Sequence, residues 1–378
     1  MGEGKRIMIV AGEASGDLHG AALVAAMKEG EDRLSFYGVG GDRMREAGVR
    51  LTARASDMAV VGLTEVVSRL GKILGVMRDL RRALREERPD LVILIDYPDF
   101  NLPLARAAKK EGIKVFYYIS PQVWAWRRGR VEQIKRYVDR MAVILPFEEE
   151  FYARHGLNVH FVGHPLLDLV KPRWGAGEAA ERLKIPPGAP TVALLPGSRM
   201  SEVRRLLPVM VEAADLLRRD FPKIRFLLPL AETIPEGYVQ DLIKQRRVEI
   251  GVMKNCIYDC LALSDGAVVA SGTATLETAL MEVPMVIVYK VSPLTYTLGR
   301  ILIRADCIGL ANIIAGKKVV PELIQGEATG SRVADEVRGM LNDEEGRRRI
   351  KEELSHIRES LGRPGAAKRA ATLALGMI

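Results

Sequence analysis

Arg6-Ile7-Met8-Ile9-Val10-Ala11-Gly12-Glu13-Ala14-Ser15-Gly16-Asp17 is the stretch that decides the fold. After Arg6 the run is apolar without alternation, which predicts a strand over Arg6–Ala11 covered on both faces. Gly12 and Gly16 let the backbone turn sharply and approach a ligand closely. A helix is predicted over Ser15–Lys28, with Ser15 or Asp17 as its cap and free N–H groups that favour an anion. Taken alone, the segment is also a tight structural turn, because it fits neither the G-x-G-x-x-G nor the P-loop spacing.

The same grammar repeats outward. Ser35–Val39, Leu91–Ile95, Lys114–Ile119, Met141–Leu145 and His160–Val162 are further short apolar runs separated by amphipathic stretches. Together they predict a parallel, doubly wound α/β sheet. After Gly163-His164-Pro165 the composition turns to Pro, Gly and charge over Lys171–Pro190. The pattern then restarts, with strands at Thr191–Leu195, Arg225–Leu230, Gly266–Ala270 and Met285–Tyr289 and a helix over Glu202–Arg219. Two α/β domains follow, residues 1–168 and 169–345, with a charged helical tail over 346–378. A chain of 378 residues is too long for one ordinary core, which agrees.

Composition narrows the function. The formal charge is +8 and the apolar share 48%, so the chain is globular and favours anionic partners. Few aromatics interleave the basic runs, which argues against nucleic acid. Three cysteines make no disulfide framework. Cys256 and Cys260 have helical spacing but no companion His or second Cys pair for a metal. No uninterrupted apolar run reaches the roughly 18 residues of a membrane span, and the N-terminus lacks a leader pattern. The expectation is a cytoplasmic protein.

Each candidate loop follows a predicted strand, where open α/β sheets bind ligands. Asp96-Tyr97-Pro98-Asp99-Phe100-Asn101 brings two carboxylates and an amide, suited to a general base and to hydroxyl recognition; an Asp cap on the next helix is the competing reading. In Ser120-Pro121-Gln122-Val123-Trp124-Ala125-Trp126-Arg127, followed by Arg128 and Arg130, aromatic faces suit sugar rings or acyl chains and arginines suit phosphate; packing serves the tryptophans equally well. Gly197, Ser198 and Arg199 open a helix in the second domain as a diphosphate site. A capping box fits Ser198 and Glu202 only loosely, because the acid should come three residues on. Gly272, Thr273 and Thr275 form a second such loop, with Glu277 one turn later as a ribose acceptor; Thr273 as a plain N-cap is the alternative. His19 and His164, each beside glycine, stand out among five scattered histidines. Leu63, Val66, Val67, Leu70, Ile73, Leu74 and Met77 recur at helical spacing among Arg69, Lys72, Arg78, Arg81, Arg82 and Arg85. That pattern suits either an anionic bilayer or a core helix with a solvated back.

These motifs together resemble the lipid-A-disaccharide synthase family. The resemblance is carried by Gly12–Asp17, Asp96–Asn101, Ser120–Trp126, Val162–Pro165, Leu195–Arg199, Gly272–Glu277 and Leu310-Ala311-Asn312-Ile313, in the family's order. Tyr97 is a departure, standing where a small residue is expected. The resemblance implies two Rossmann-like domains of GT-B architecture. It also implies inverting, metal-independent transfer of 2,3-diacylglucosamine from UDP-2,3-diacylglucosamine to 2,3-diacylglucosamine 1-phosphate (lipid X), with no cofactor. Gly197, Ser198, Arg199, Gly272, Thr273, Thr275, Glu277 and Asn312 would hold the nucleotide. Asp99, ahead of Asp96, would be the base, with Glu13, Ser15, Gly16, Asp17, Asn101, Gln122 and Trp124 shaping the acceptor pocket. The Leu63–Met77 helix would visit the inner-membrane surface, and the reading leaves room for a homo-oligomer. A polyprenyl-linked N-acetylglucosamine transferase and a UDP-sugar epimerase share the expected fold.

Overall fold

A computed structural model describes residues 4–58, 63–124, 129–246, 248–292, 296–297 and 307–378, with backbone alone over 63–69. Two compact units result, Met1–Pro165 with Leu361–Ile378, and Leu166–Ser360.

In the first unit, β1 (Lys5–Ala11), β2 (Leu34–Gly40), β3 (Val49–Arg54), β4 (Leu91–Ile95), β5 (Lys114–Tyr118), β6 (Arg140–Val143) and β7 (His160–Phe161) form one parallel sheet. Its order is β3-β2-β1-β4-β5-β6-β7. Met8, Val10, Val92 and Leu94 enter one core, and Ile7, Ile9, Ile93 and Ile95 enter the core on the other face. Burial on both sides is why these strands read as unbroken apolar runs.

The second unit repeats the plan with β8 (Thr191–Leu195), β9 (Arg225–Leu230), β10 (Ile250–Lys254), β11 (Gly266–Ala270), β12 (Met285–Tyr289) and β13 (Glu322–Ile324). Its order is β10-β9-β8-β11-β12-β13. In both sheets the chain reverses its direction of travel between two neighbours, β1/β4 and β8/β11. Such a switch point opens a crevice at the carboxyl ends of the strands. The register sets Ala11 beside Ile95, and Leu195 beside Val269, so the loops following each pair are neighbours.

The strands missing from the sequence reading are β3, β10 and β13, all at sheet edges. In β3 buried and exposed residues alternate in part, and β13 has only three residues. Neither makes the unbroken run that marks a central strand.

The expected tail over 346–378 is a correction. The helix Glu344–Ser360 belongs to the second unit, while Leu361–Ile378 belongs to the first. The helix Ala366–Leu375 places Ala370, Ala371 and Ala374 in the core beneath β1, with Met377 beyond them. Four contacts seal it: His164 N–H donates to Leu361 O (3.0 Å), Arg369 Nε to Val162 O (2.9 Å), Arg140 Nη1 to Leu373 O (2.8 Å) and Lys114 Nζ to Met377 O (2.5 Å). These residues are structural parts of the first unit, not a solvated appendage.

Candidate active site

At the β1/β4 switch point the backbone is held in an unfavourable shape. Asp96 and Tyr97 both adopt left-handed φ, 44° and 47°. Such residues persist only where their surroundings fix them. Here Asn101 Nδ2 donates to Ile95 O (3.1 Å) and Asp96 O (2.7 Å), and Tyr117 Oη donates to Asp96 O as well. The turn carries the Asp96 carboxyl into a half-buried position near Glu13. Burial, and then the charge of Glu13, push it up to about 6.

Gly12 is required by contact: a Cβ there would lie 2.3 Å from the Tyr97 ring. Tyr97 in turn donates its hydroxyl to Met58 O (2.9 Å). The unexpected tyrosine is therefore a lid over the glycine loop.

Asp99 is placed differently. It lies in the first turn of the helix Pro98–Lys110, its side chain is 66% exposed, and it is ion-paired with Arg130. Asp96 and Asp99 thus sit in different surroundings, one largely desolvated on the strand-end turn and the other in an ion pair on the helix.

Other members of the first set divide in two. Glu13, Ser15 and Gln122 are exposed at the strand ends. Neither Ser15 nor Asp17 caps the following helix, which starts at Ala14 with Glu13 as its N-cap. The Asp17 carboxylate is buried and accepts from the N–H groups of Gly41 (2.6 Å), Arg43 (3.2 Å) and Met44 (3.0 Å), so it caps the neighbouring helix Asp42–Glu46. Gly16 packs on Ala11, where a Cβ would come within 3.2 Å. Asn101 is fully buried as the brace of the turn. Asp17, Gly16 and Asn101 thus each make contacts within the first unit that hold the strand-end loops in shape.

Trp124 packs edge-on against Phe147, centroids 5.0 Å apart. Beneath it the buried Glu148 accepts from Leu145 N–H (3.0 Å), and desolvation pushes its carboxyl up to about 7. Trp126, Arg127 and Arg128 lie outside the described residues. His19 and His164 are lowered to about 4 and about 3 by burial, so both rings are neutral near pH 7.

In the second unit the loop after β8 bends at Gly197, φ 106°, where a Cβ would meet the Glu202 side chain. Ser198 and Arg199 are exposed. The N-cap of the helix Met200–Asp220 is Arg199, one residue later than expected. Glu202 sits three positions on; its carboxylate accepts from Arg199 N–H (3.4 Å) and pairs with its guanidinium (3.1 Å). Beside it, the loop after β11 exposes Gly272 and Thr273 at the start of the helix Thr273–Leu280. Glu277 is partly buried and accepts from Tyr258 Oη (2.8 Å); burial raises its carboxyl. Tyr258, between Cys256 and Cys260, carries no ligand pattern in the sequence that would single it out. Cys256 and Cys260 lie 3.6 Å apart, both buried. Among the described residues no group of three or more His, Cys, Asp or Glu could hold a metal ion.

Thr275 and Asn312 are fully buried. Thr275 Oγ1 accepts from Leu310 N–H (3.2 Å) and donates to Gly272 O (2.8 Å). Asn312 joins Val319, Val320 and Glu322. They hold the loop in shape from below. Gly197, Ser198, Arg199, Gly272 and Thr273 are solvent-accessible at the starts of two helices, with Glu277 partly accessible one turn in.

Known proteins resemble this chain over nearly its whole length. The family model described as lipid-A-disaccharide synthetase matches residues 7–376. A lipid-A-disaccharide synthase of Syntrophus aciditrophicus (strain SB) is 56% identical over 375 residues, covering 99% of this chain and 98% of that one. Among solved structures, the glycotransferase of kitacinnamycin has a TM-score of 0.68 at 17% identity, covering 99% of both chains. A UDP-GlcNAc 2-epimerase from Neisseria meningitidis bound to UDP-GlcNAc has a TM-score of 0.60 at 10% identity, covering 98% of each. Such distant likenesses show the fold alone, two parallel-sheet Rossmann-like domains of GT-B architecture. A glycosyltransferase fold, two strand-end sites at switch points and a family match over nearly the whole length lead to one assignment: the chain belongs to the lipid-A-disaccharide synthase family.

Proposed function

We propose that the protein transfers 2,3-diacylglucosamine from UDP-2,3-diacylglucosamine to the 6-hydroxyl of lipid X, releasing UDP, with Asp96 as the general base. The observation that carries this is the Asp96 carboxyl, tuned to about 6 at a strand end on a doubly braced left-handed turn. A base near the working pH takes up the hydroxyl proton most effectively. Burial, helped by Glu13, keeps that carboxyl basic, and Asn101 and Tyr117 brace the backbone that carries it. Inversion from the donor's α-linkage to a β-linked product requires one displacement and so one base.

The departing diphosphate is received by the second unit. Backbone N–H groups after Gly197 and Gly272 lie at helix N-termini, and Arg199 adds a fixed positive charge. Glu277, oriented by Tyr258, accepts from the ribose. This set supplies the charge that a divalent ion provides elsewhere.

The substrates are acylated, and no described helix is long and apolar enough to cross a membrane. The helix Leu63–Glu86 supports a peripheral visit to the cytoplasmic face of the inner membrane. Leu70 and Leu74 are 48% and 59% exposed, whereas Ile73 and Met77 pack against the core. Leu70→Asp with Leu74→Asp is expected to lower sedimentation with phospholipid vesicles at least tenfold. UDP affinity, measured by calorimetry, stays unchanged. Equal sedimentation of variant and parent would remove the membrane reading.

The assay for the whole proposal is UDP release from UDP-2,3-diacylglucosamine in the presence of chelator. Release that requires lipid X supports it. Turnover of the UDP-sugar without acceptor would point instead to the epimerase chemistry that shares this fold.

A further inference from the structure

Behind the first unit's site, the helices Leu63–Glu86, Pro98–Lys110 and Arg130–Tyr137 enclose a groove of about 830 Å³. Arg78, Arg81 and Arg85 line one wall, and Arg106 and Lys110 the opposite one. All five are exposed, and none forms an ion pair with a described residue. Glu111 is the single acid among the lining residues. Five cations around one concavity, with a single acid among them, repel one another, an arrangement that an anionic occupant relieves.

The groove also has a direction. Leu70, Leu74, Arg78, Arg81 and Arg85 follow one another at spacings of four, four, three and four, so they share one helix face. Along that face exposed leucines give way to arginines, and Leu74 itself lines the groove mouth. From Leu74 to Arg85 the helix rises about 16 Å. Apolar faces of interfacial helices sink roughly 5–10 Å into the headgroup boundary. With Leu70 and Leu74 inserted, Arg78 lies one turn, about 6 Å, further along the same face, within a long side chain's reach of the headgroup phosphates.

We propose that this groove binds the phosphate of an anionic bilayer phospholipid, a site separate from both substrate sites. It rests on the membrane reading above and adds a headgroup preference to it. Apolar insertion then sets whether the enzyme binds a bilayer, and the groove sets which bilayer.

The test uses the full chain and two vesicle types, phosphatidylcholine alone and phosphatidylcholine with phosphatidylglycerol. Arg81→Ser, Arg85→Ser and Arg106→Ser are combined in one variant. The parent is expected to prefer the anionic vesicles, and added salt to weaken that preference. The triple variant is expected to lose on the order of a hundredfold of anionic-vesicle affinity while keeping its binding to neutral vesicles. Its thermal midpoint and its kcat/KM in detergent micelles stay at parental values. Leu70→Asp with Leu74→Asp lowers binding to both vesicle types alike, which separates failure of the groove from failure of the membrane reading. The proposal is overturned by an unchanged anionic preference in the triple variant. It is equally overturned if that variant keeps the preference but raises the KM for lipid X in micelles, which would make the groove the acceptor's phosphate site. Should the triple variant fold poorly, Arg85→Glu alone is expected to show the same selective loss in smaller measure.

Discussion

Asp96→Asn is expected to lower kcat by about 10²–10⁴ and, at the same time, to make the protein more stable at pH 7. The first part follows from removing a general base, whose usual contribution has that size. The second follows from the folded-state carboxyl lying near 6, above the 3.8 of an ordinary aspartate. A raised carboxyl favours folding only while it is protonated. That contribution is complete below about pH 4 and fades as the pH rises through 6. At pH 7 the ionised carboxylate is therefore a burden on the fold, worth at most about 3 kcal/mol. Asn removes the charge but retains the shape. Thermal unfolding at pH 7 should show a higher midpoint for Asp96→Asn, and the gap should close as the pH falls toward 4. In the parent, kcat/KM should rise through pH 6 and then level off. Asp99→Asn, which weakens the pair with Arg130 but leaves Asp96 in place, should retain activity within a fewfold. A dead Asp99→Asn beside an active Asp96→Asn would reverse the assignment.

Arg199→Ala is expected to weaken UDP binding by about 10- to 100-fold, the range for losing a charge-assisted contact to phosphate. The guanidinium is exposed and its pair with Glu202 is a surface pair, so stability should change by less than about 0.5 kcal/mol. Arg199→Lys should recover part of the affinity, because the charge returns without the forked geometry. Calorimetry with UDP alone reads this without acyl substrates. Full UDP affinity in Arg199→Ala would place the diphosphate elsewhere.

The central strands were legible because burial on both faces leaves an unbroken apolar run, as at Leu91–Ile95. Edge strands such as β3 were not, because partial exposure breaks the run. Strand-end loops were legible by position, since the fold puts ligands there. Individual roles were not. Asp17, Asn101, Thr275 and Asn312 are short polar residues, equally able to meet a ligand or a backbone N–H group. Only the fold shows that their atoms are engaged by Gly41, Ile95, Leu310 and Val320. Ranking Asp96 against Asp99 depended on a left-handed turn and on Arg130, 31 residues further along the chain. The last helix was read as a charged tail because Ala366, Ala370, Ala371 and Ala374 give a weak apolar signal, although they form its buried face.

The most direct measurement is a crystal structure of Asp96→Asn with lipid X and UDP bound. The expected result is the acceptor's 6-hydroxyl within about 2.6–3.2 Å of the residue-96 side chain, with the diphosphate against Arg199. A 6-hydroxyl lying beside Asp99, or a diphosphate bound away from the loops after β8 and β11, would contradict the account.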